Sequence, residues 1–97
     1  MRLQFDWDAA KAAGNLRKHG VAFEDAMPVF LDSLALTVAD AGGEYGEERW
    51  VTVGMGGGGR LILAVHTHWR ADADLTVIRL ISVRRPTKRE LRDYENG

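Results

Sequence analysis

The spacing of apolar residues changes from alternating to helical within the first twenty positions. Leu3, Phe5 and Trp7 occupy every second position, which is the period of a strand with one buried face. Over residues 8–19, alanines and one leucine recur three and four positions apart, and a glycine follows at position 20, where helices commonly end. The pattern predicts a short opening strand followed by a helix.

A second helix is predicted over residues 23–30, with Glu24 and Asp25 in its first turn. Pro28 lies inside this segment. An interior proline removes a backbone hydrogen bond and costs about 3 kcal/mol in a regular helix. We therefore expect this helix to be short, bent or partly 3₁₀.

From Ser33 onward the apolar period becomes two, which predicts strands beginning near residue 34 and covering 50–55, 60–68 and 75–84. Short turns join successive strands and make them antiparallel. The glycine run at 54–59 predicts a mobile hairpin turn; a phosphate-binding loop would require a helix after it, and an apolar strand follows instead. Thr87 and Glu90 have the spacing of a capping box, so a final helix is predicted over residues 87–94.

This order of elements predicts one α+β domain over residues 1–97. Its expected architecture is an antiparallel four-stranded sheet (plus a short N-terminal strand), with two N-terminal helices and a C-terminal helix gathered on one side. In the strand over 60–68, the odd-numbered positions from Leu61 to Thr67 resemble a core face. The even-numbered positions end in two histidines, His66 and His68.

Composition is ordinary for a globular protein, with 45% hydrophobic and 28% charged residues and a formal net charge of −1. The chain has no cysteine, which excludes disulfides and thiolate metal sites. We find neither a membrane-spanning run nor a signal-peptide pattern, so a cytoplasmic protein with no membrane partner is expected.

Charge is distributed unevenly along the chain. Acidic residues concentrate at Glu44, Glu47 and Glu48, whereas six of the thirteen lysines and arginines lie between Arg79 and Arg92. Such a concentration predicts a local positive patch that binds an anion.

RNA cleavage through the 2′-hydroxyl would explain this patch. That reaction needs a base, an acid and cations that stabilise a doubly charged phosphorane. Arginine suits the last role, because its planar fork matches phosphate oxygens. His19 titrates in the range needed for proton transfer, and Lys11 lies about two turns earlier on nearly the same helix face. The cations available are Arg84, Arg85, Lys88 and Arg89, joined by Arg49 and Arg60.

Other interpretations of these residues remain open. The basic residues of the last helix could form a solvated charged face, and His19 could simply complement the helix dipole. His66 and His68 lie on one strand face at a spacing that zinc sites use. No acid is spaced to complete such a site, so we interpret them as two half-exposed strand histidines and expect no metal.

Several segments resemble the BrnT toxin family. The N-terminal stretch FDWDAAKAAGNLRKHGVAFEDAMPVF carries its signature, including Asn-x-x-Lys-His-Gly-Val and a Phe-Glu block. Glu48–Arg49 before a strand, Gly59–Arg60 before another, and Ile-Ser-x-Arg ending at Arg84 also match. An Arg-Glu-containing helix that ends at Tyr94 completes the resemblance.

The resemblance implies a RelE-like fold and a ribonuclease that arrests translation. It also implies a BrnA-like antitoxin of the ribbon–helix–helix type, which buries the active surface and alone contacts operator DNA. No cofactor is expected. The catalytic candidates are then His19, Arg60, Arg84, Lys11 and Arg49, and the RNA-binding candidates are Arg85, Lys88, Arg89 and Tyr94. The alternative is a catalytically inactive module of the same fold that binds protein or nucleic acid.

Overall fold

A computed structural model describes residues 2–40 and 48–97. Glu44 and Glu47 of the acidic segment lie outside the described residues. Within them the chain forms, in order, β1 (Arg2–Asp6), α1 (Ala9–His19), a 3₁₀ helix (Phe23–Leu31), β2 (Leu36–Asp40), β3 (Arg49–Met55), β4 (Leu61–Arg70), β5 (Leu75–Arg84) and α2 (Lys88–Asn96). The predicted order of the helices and strands is confirmed, and one further three-residue 3₁₀ turn (Gly57–Gly59) lies between β3 and β4.

The strands form one five-stranded sheet in the order β1-β5-β4-β3-β2. The four strands β2 to β5 pair antiparallel, as their short connections predict. β1 pairs with β5 in parallel, with Leu3 opposite Thr76 and Asp6 opposite Arg79. The sheet is therefore mixed, and the expectation of a purely antiparallel sheet was incomplete. Nearly the whole chain separates β1 from β5, so no short turn dictates their relative direction.

The main core lies between one sheet face and the two N-terminal helices. Ile62 and Ala64 of β4 are fully buried there, so the main core lies on the even-numbered face, and the odd-numbered positions predicted to face the core form the other side of the sheet. The full cluster comprises Val21, Phe23, Ala26, Val29, Ile62, Ala64, Ile78, Leu80 and Val83. We call this side of the sheet the helix face.

The opposite side of the sheet carries α2, and we call it the α2 face. Leu63 is buried on this side, and a cleft here is lined by strand residues together with Glu90 and Asp93 of α2. The prediction that the helices are gathered on one side of the sheet was therefore wrong. Both faces of β4 are apolar because helices cover both.

The segment around Pro28 is a 3₁₀ helix over its whole length. Its buried residues are Phe23, Ala26 and Val29, each three positions after the last. A 3₁₀ helix has three residues per turn and aligns positions i and i+3. Because the buried residues recur every three positions, the 3₁₀ segment buries them as one continuous stripe. It does so without the α-helical hydrogen bond that the proline cannot donate.

Two glycines are required by local geometry. Gly20 ends α1 in the left-handed conformation, with φ of 70°, and its N–H donates to the Leu16 carbonyl oxygen at 2.8 Å. At Gly56, an added Cβ would lie 2.4 Å from Ile62 Cδ1 and 2.5 Å from the Asp25 carbonyl oxygen. The predicted turn between β3 and β4 therefore packs against the 3₁₀ helix at its first glycine.

The amide of Asn15 completes the edge of β5. β1 covers β5 only as far as Arg79, so the later part of β5 has no neighbouring strand on that side. Asn15 Oδ1 accepts from the Val83 N–H at 3.1 Å, and its Nδ2 donates to the Val83 carbonyl oxygen at 2.8 Å. Nδ2 also donates to the Val21 carbonyl oxygen at 3.2 Å. One buried side chain thus replaces a strand and joins α1 to the sheet.

We expect Asn15→Ala to lower the free energy of unfolding by about 2–4 kcal/mol. The variant leaves the buried N–H and C=O of Val83 without partners, and each unsatisfied group costs about 1–3 kcal/mol. Urea unfolding measures the change. The exposed Asn96 provides the control, since Asn96→Ala should change stability by less than about 0.5 kcal/mol. Equal effects of the two variants would contradict the account.

Candidate active site

Most of the predicted cations lie at one end of the sheet, where β5 ends. β5 ends at Arg84, and Arg85 and the first residues of α2, Lys88 and Arg89, follow directly. Arg84 lies opposite Leu63, so Arg60, just before β4, belongs to the same edge. Antiparallel pairing therefore brings together residues that lie 24 positions apart in the sequence. We call this set, Arg60, Arg84, Arg85, Lys88 and Arg89, the basic edge.

His19 lies at the end of α1 nearest the basic edge. It follows Asn15 by about one helical turn, or roughly 6 Å along the axis, and the Asn15 amide is bonded to Val83, the residue before Arg84. The imidazole is half-buried. His19 is therefore the proton-transfer candidate that lies in the neighbourhood of the basic edge.

Arg84 is held by a bidentate ion pair. Its Nη1 and Nη2 donate to the two carboxylate oxygens of Glu90, both at 2.9 Å, and Nη1 also donates to the Arg85 carbonyl oxygen at 3.1 Å. The hydrogen bond from Arg84 lowers the pKa of Glu90 to about 2, and the same bond raises the pKa of Arg84. The pair therefore remains ionised through the physiological range. In the sequence, the spacing of Thr87 and Glu90 indicates only the capping role of Glu90.

Arg49 does not join the basic edge. It begins β3 opposite Asp40, and Val53, four residues later, pairs with Leu63, the neighbour of Arg84. At about 3.3 Å per residue, Arg49 lies roughly 13 Å from the level of Arg84. Its Nε is buried and has no hydrogen-bond partner among the described residues.

Lys11 also lies away from the basic edge. It belongs to the first turn of α1 and is exposed. Eight residues separate it from His19, which corresponds to about 12 Å along the helix axis. The two side chains therefore extend from points about two helical turns apart on α1.

Tyr94 is anchored to the body of the protein. Its hydroxyl donates to Asp32 Oδ2 at 2.6 Å, and the same oxygen accepts from the Met55 N–H at 2.8 Å. The bond from Tyr94 lowers the pKa of Asp32, and the bond to Asp32 raises the pKa of Tyr94. Tyr94 thus fastens the last turn of α2 to the end of β3. Asp32 could not be identified from the sequence as the partner of Tyr94, because it lies 62 positions away and no local motif marks it.

The two strand histidines have different environments. His66 has an exposed fraction of 2%, so the interpretation of two half-exposed histidines was wrong for it. Its Nε2 bonds to the Thr52 hydroxyl at 2.7 Å, which bonds to the Thr37 hydroxyl at 2.8 Å. His68 is exposed beside it. Among residues 2–40 and 48–97, no three His, Cys, Asp or Glu side chains are grouped so that they could hold a metal ion.

We expect His66 to make folding stability depend on pH. Burial lowers its pKa from 6.5 to about 4, so the unfolded chain binds more protons between these values. The stabilising contribution is complete above pH 6.5 and is lost as pH falls toward 4. Lowering the pH from 7.5 to 5 should cost about 1–2 kcal/mol from this group.

Chemical unfolding of the wild type and His66→Gln at several pH values measures this contribution. Glutamine can still bond to Thr52 but does not titrate, and His19 and His68 are present in both proteins. The difference in stability between the two proteins should therefore shrink as pH falls from 7.5 to 5. A constant difference would show that His66 is not held neutral by burial.

The fold is similar to that of a known toxin. The crystal structure of the Brucella abortus ribonuclease toxin, BrnT, superposes with a TM-score of 0.66 at 22% sequence identity, covering 90% of this chain and 100% of that chain. Both are α+β proteins, and the described residues of this chain form a five-stranded mixed sheet with three helices. The search of curated protein sequences finds no match.

The sequence itself identifies the class of protein as a ribonuclease toxin of a type II toxin–antitoxin system, since the model of that family matches residues 7–90. The chain belongs to the BrnT family. The predicted family and toxin function are thereby confirmed, and membership of a type II system implies an antitoxin partner. Of the helices within the described residues, none has the length and apolar character needed to cross a bilayer.

Proposed function

We propose that this toxin is a metal-independent endoribonuclease that cleaves RNA through the substrate's own 2′-hydroxyl. The observation that carries the proposal is the basic edge, where Arg84 is fixed at the end of β5. A second support is that the described residues offer no cluster of metal ligands. In this chemistry the protein itself must supply the charge that stabilises the phosphorane.

Arg84 would bind the phosphate that is cleaved. Arg85, Lys88 and Arg89 are exposed next to it, and we assign them to the neighbouring phosphates of the RNA. A strip of positive charge also speeds the encounter with a polyanion. Arg60, exposed at the same edge, would contribute a further cation.

We assign proton transfer to His19, because it lies near the end of β5 and histidine is the side-chain type that most often serves as a general acid or base. Lys11, Arg49 and Tyr94 lie at other places on the surface. We therefore propose that they contact other parts of the RNA rather than the scissile phosphate. For Tyr94 this contact would compete with its bond to Asp32.

The antitoxin proposed for this toxin is a BrnA-like ribbon–helix–helix protein. It would neutralise the toxin by covering the basic edge, and operator DNA would be bound by the antitoxin alone. Kinship with the RelE toxins remains a prediction from the family resemblance, and a cytoplasmic location remains a prediction from the sequence pattern.

RNA cleavage by the purified toxin in EDTA tests the proposed function. We expect cleavage to proceed at an unchanged rate, because arginine and histidine side chains perform the chemistry. Activity that disappears in EDTA and returns with zinc would contradict the metal-independent mechanism. RNA binding without cleavage by the folded protein would favour an inactive binding module.

Arg84→Ala is the matched variant for this assay. Losing one preorganised donor to the transition state lowers turnover by about 10²–10³-fold. Arg84→Lys should recover part of the rate, because it keeps the charge but loses the fork. Thermal unfolding of the same preparations separates a catalytic loss from a folding defect. A fully folded Arg84→Ala that cleaves at the wild-type rate would remove Arg84 from the mechanism.

A further inference from the structure

The hydrogen bonds of Arg84 leave one edge of its guanidinium group free. An arginine side chain has five N–H groups in a fixed plane. Three of them donate to protein acceptors, two to Glu90 and one to the Arg85 carbonyl oxygen. The remaining two, on Nε and Nη2, have no acceptor among the described residues. They lie on the same edge of the plane and point in the same direction.

This free edge is a second bidentate fork. Two parallel N–H groups match two oxygens of a phosphate, as they match a carboxylate. The side chain of Arg84 as a whole is 34% exposed, so part of it is open to solvent while the bonds to Glu90 are made. Arg84 can therefore bind Glu90 through one edge and a phosphate through the other.

We propose that Glu90 is a positioning residue, which holds the Arg84 guanidinium so that its free fork faces the scissile phosphate. The inference rests on the proposed function, since it concerns the same site and the same reaction. Glu90 does not touch the substrate. It acts through Arg84 by removing the freedom of a long side chain before the substrate arrives.

Glu90 is suited to this task because it is itself fixed. Its Oε1 accepts from the Thr87 N–H at 2.7 Å, and its own N–H donates to the Thr87 hydroxyl at 3.2 Å. This is the capping box of α2. The carboxylate is thus tied to the first turn of α2, and Arg84 is tied to the carboxylate. The start of α2 and the end of β5 form one rigid unit.

The negative charge of Glu90 offsets the positive charge of Arg84, so two opposite effects on catalysis are conceivable. If orientation dominates, removing Glu90 slows cleavage. If neutralisation dominates, removing it accelerates cleavage. Arg85, Lys88 and Arg89 keep the surroundings positive with Glu90 present. The basic edge therefore keeps its positive charge even though Glu90 neutralises Arg84. For this reason the orienting effect of Glu90 on the guanidinium should outweigh its neutralising effect.

The experiment compares kcat and KM for RNA cleavage by wild type, Glu90→Gln, Glu90→Asp, Arg84→Ala and the Glu90→Gln/Arg84→Ala double variant. Misplacing a catalytic group by about 1 Å can cost 10²-fold, so we expect Glu90→Gln to lower kcat by about 10–10²-fold. KM should change little, because the flanking cations remain. Glu90→Asp keeps the charge and should recover part of the rate. The double variant should be no slower than Arg84→Ala.

Two control variants separate positioning from folding. Thr87→Ala removes the hydroxyl that accepts from the Glu90 N–H but keeps the Thr87 N–H that binds the Glu90 carboxylate, so it should lower Tm and reduce kcat less than Glu90→Gln does. Glu95→Gln makes the same charge change on an exposed position of the same helix and should alter neither. A loss of kcat in Thr87→Ala as large as in Glu90→Gln would overturn the proposal, since fraying of α2 would then explain both.

The outcomes distinguish this inference from the proposed function. If the wild type cleaves no RNA, the proposed function fails and this inference fails with it. If the wild type is active and Arg84→Ala is slow, but Glu90→Gln cleaves at the wild-type rate or faster, only the inference is overturned. Cleavage faster than wild type would show that Glu90 masks Arg84.

Discussion

The hydrogen bonds between the Asn15 amide and Val83 are the contact on which the rest of the structure depends. They join the first helix to the last strand, elements that lie 68 residues apart in sequence. Arg84 is the next residue along the chain. The same contact that closes the edge of the sheet therefore also fixes the backbone from which the proposed phosphate-binding side chain extends.

The final helix is then fixed at both ends by ionised groups. Glu90 ties its first turn to Arg84, and Tyr94 ties its last turn to Asp32, which also binds the end of β3. Few apolar residues support this helix, and none of its side chains is fully buried. Polar contacts of defined geometry thus hold this helix beside the basic edge.

Local features of this fold could be predicted from the sequence, because they depend on neighbouring residues. The capping box at Thr87, the end of α1 at Gly20 and the disturbed helix at Pro28 are such features. The three-residue spacing from Phe23 to Val29 would also have indicated that the whole segment is 3₁₀. The parallel pairing of β1 and the burial of His66 could not be predicted, since both depend on residues distant in sequence.

The candidate site was predictable in composition but not in geometry. The cluster from Arg84 to Arg89 is continuous in sequence, and the requirements of RNA cleavage through the 2′-hydroxyl added His19 and Arg60. Arg49 can be excluded from this group only once the pairing of the strands is known. The pairing places Arg49 at the other end of the sheet. Similarly, the sequence identifies Glu90 as a capping residue, whereas its proposed positioning role follows from the ion pair with Arg84 across the short connection between β5 and α2.

The chemical ends of the RNA fragments test the central claim most directly. Attack by the 2′-hydroxyl breaks the bond between phosphorus and the 5′-oxygen of the next nucleotide. The upstream fragment must then end in a 2′,3′-cyclic phosphate and the downstream fragment must begin with a 5′-hydroxyl. Mass spectrometry of fragments produced by the purified toxin in EDTA should find these ends. Fragments with a 5′-phosphate and a 3′-hydroxyl would show that water is the nucleophile, and would contradict the account.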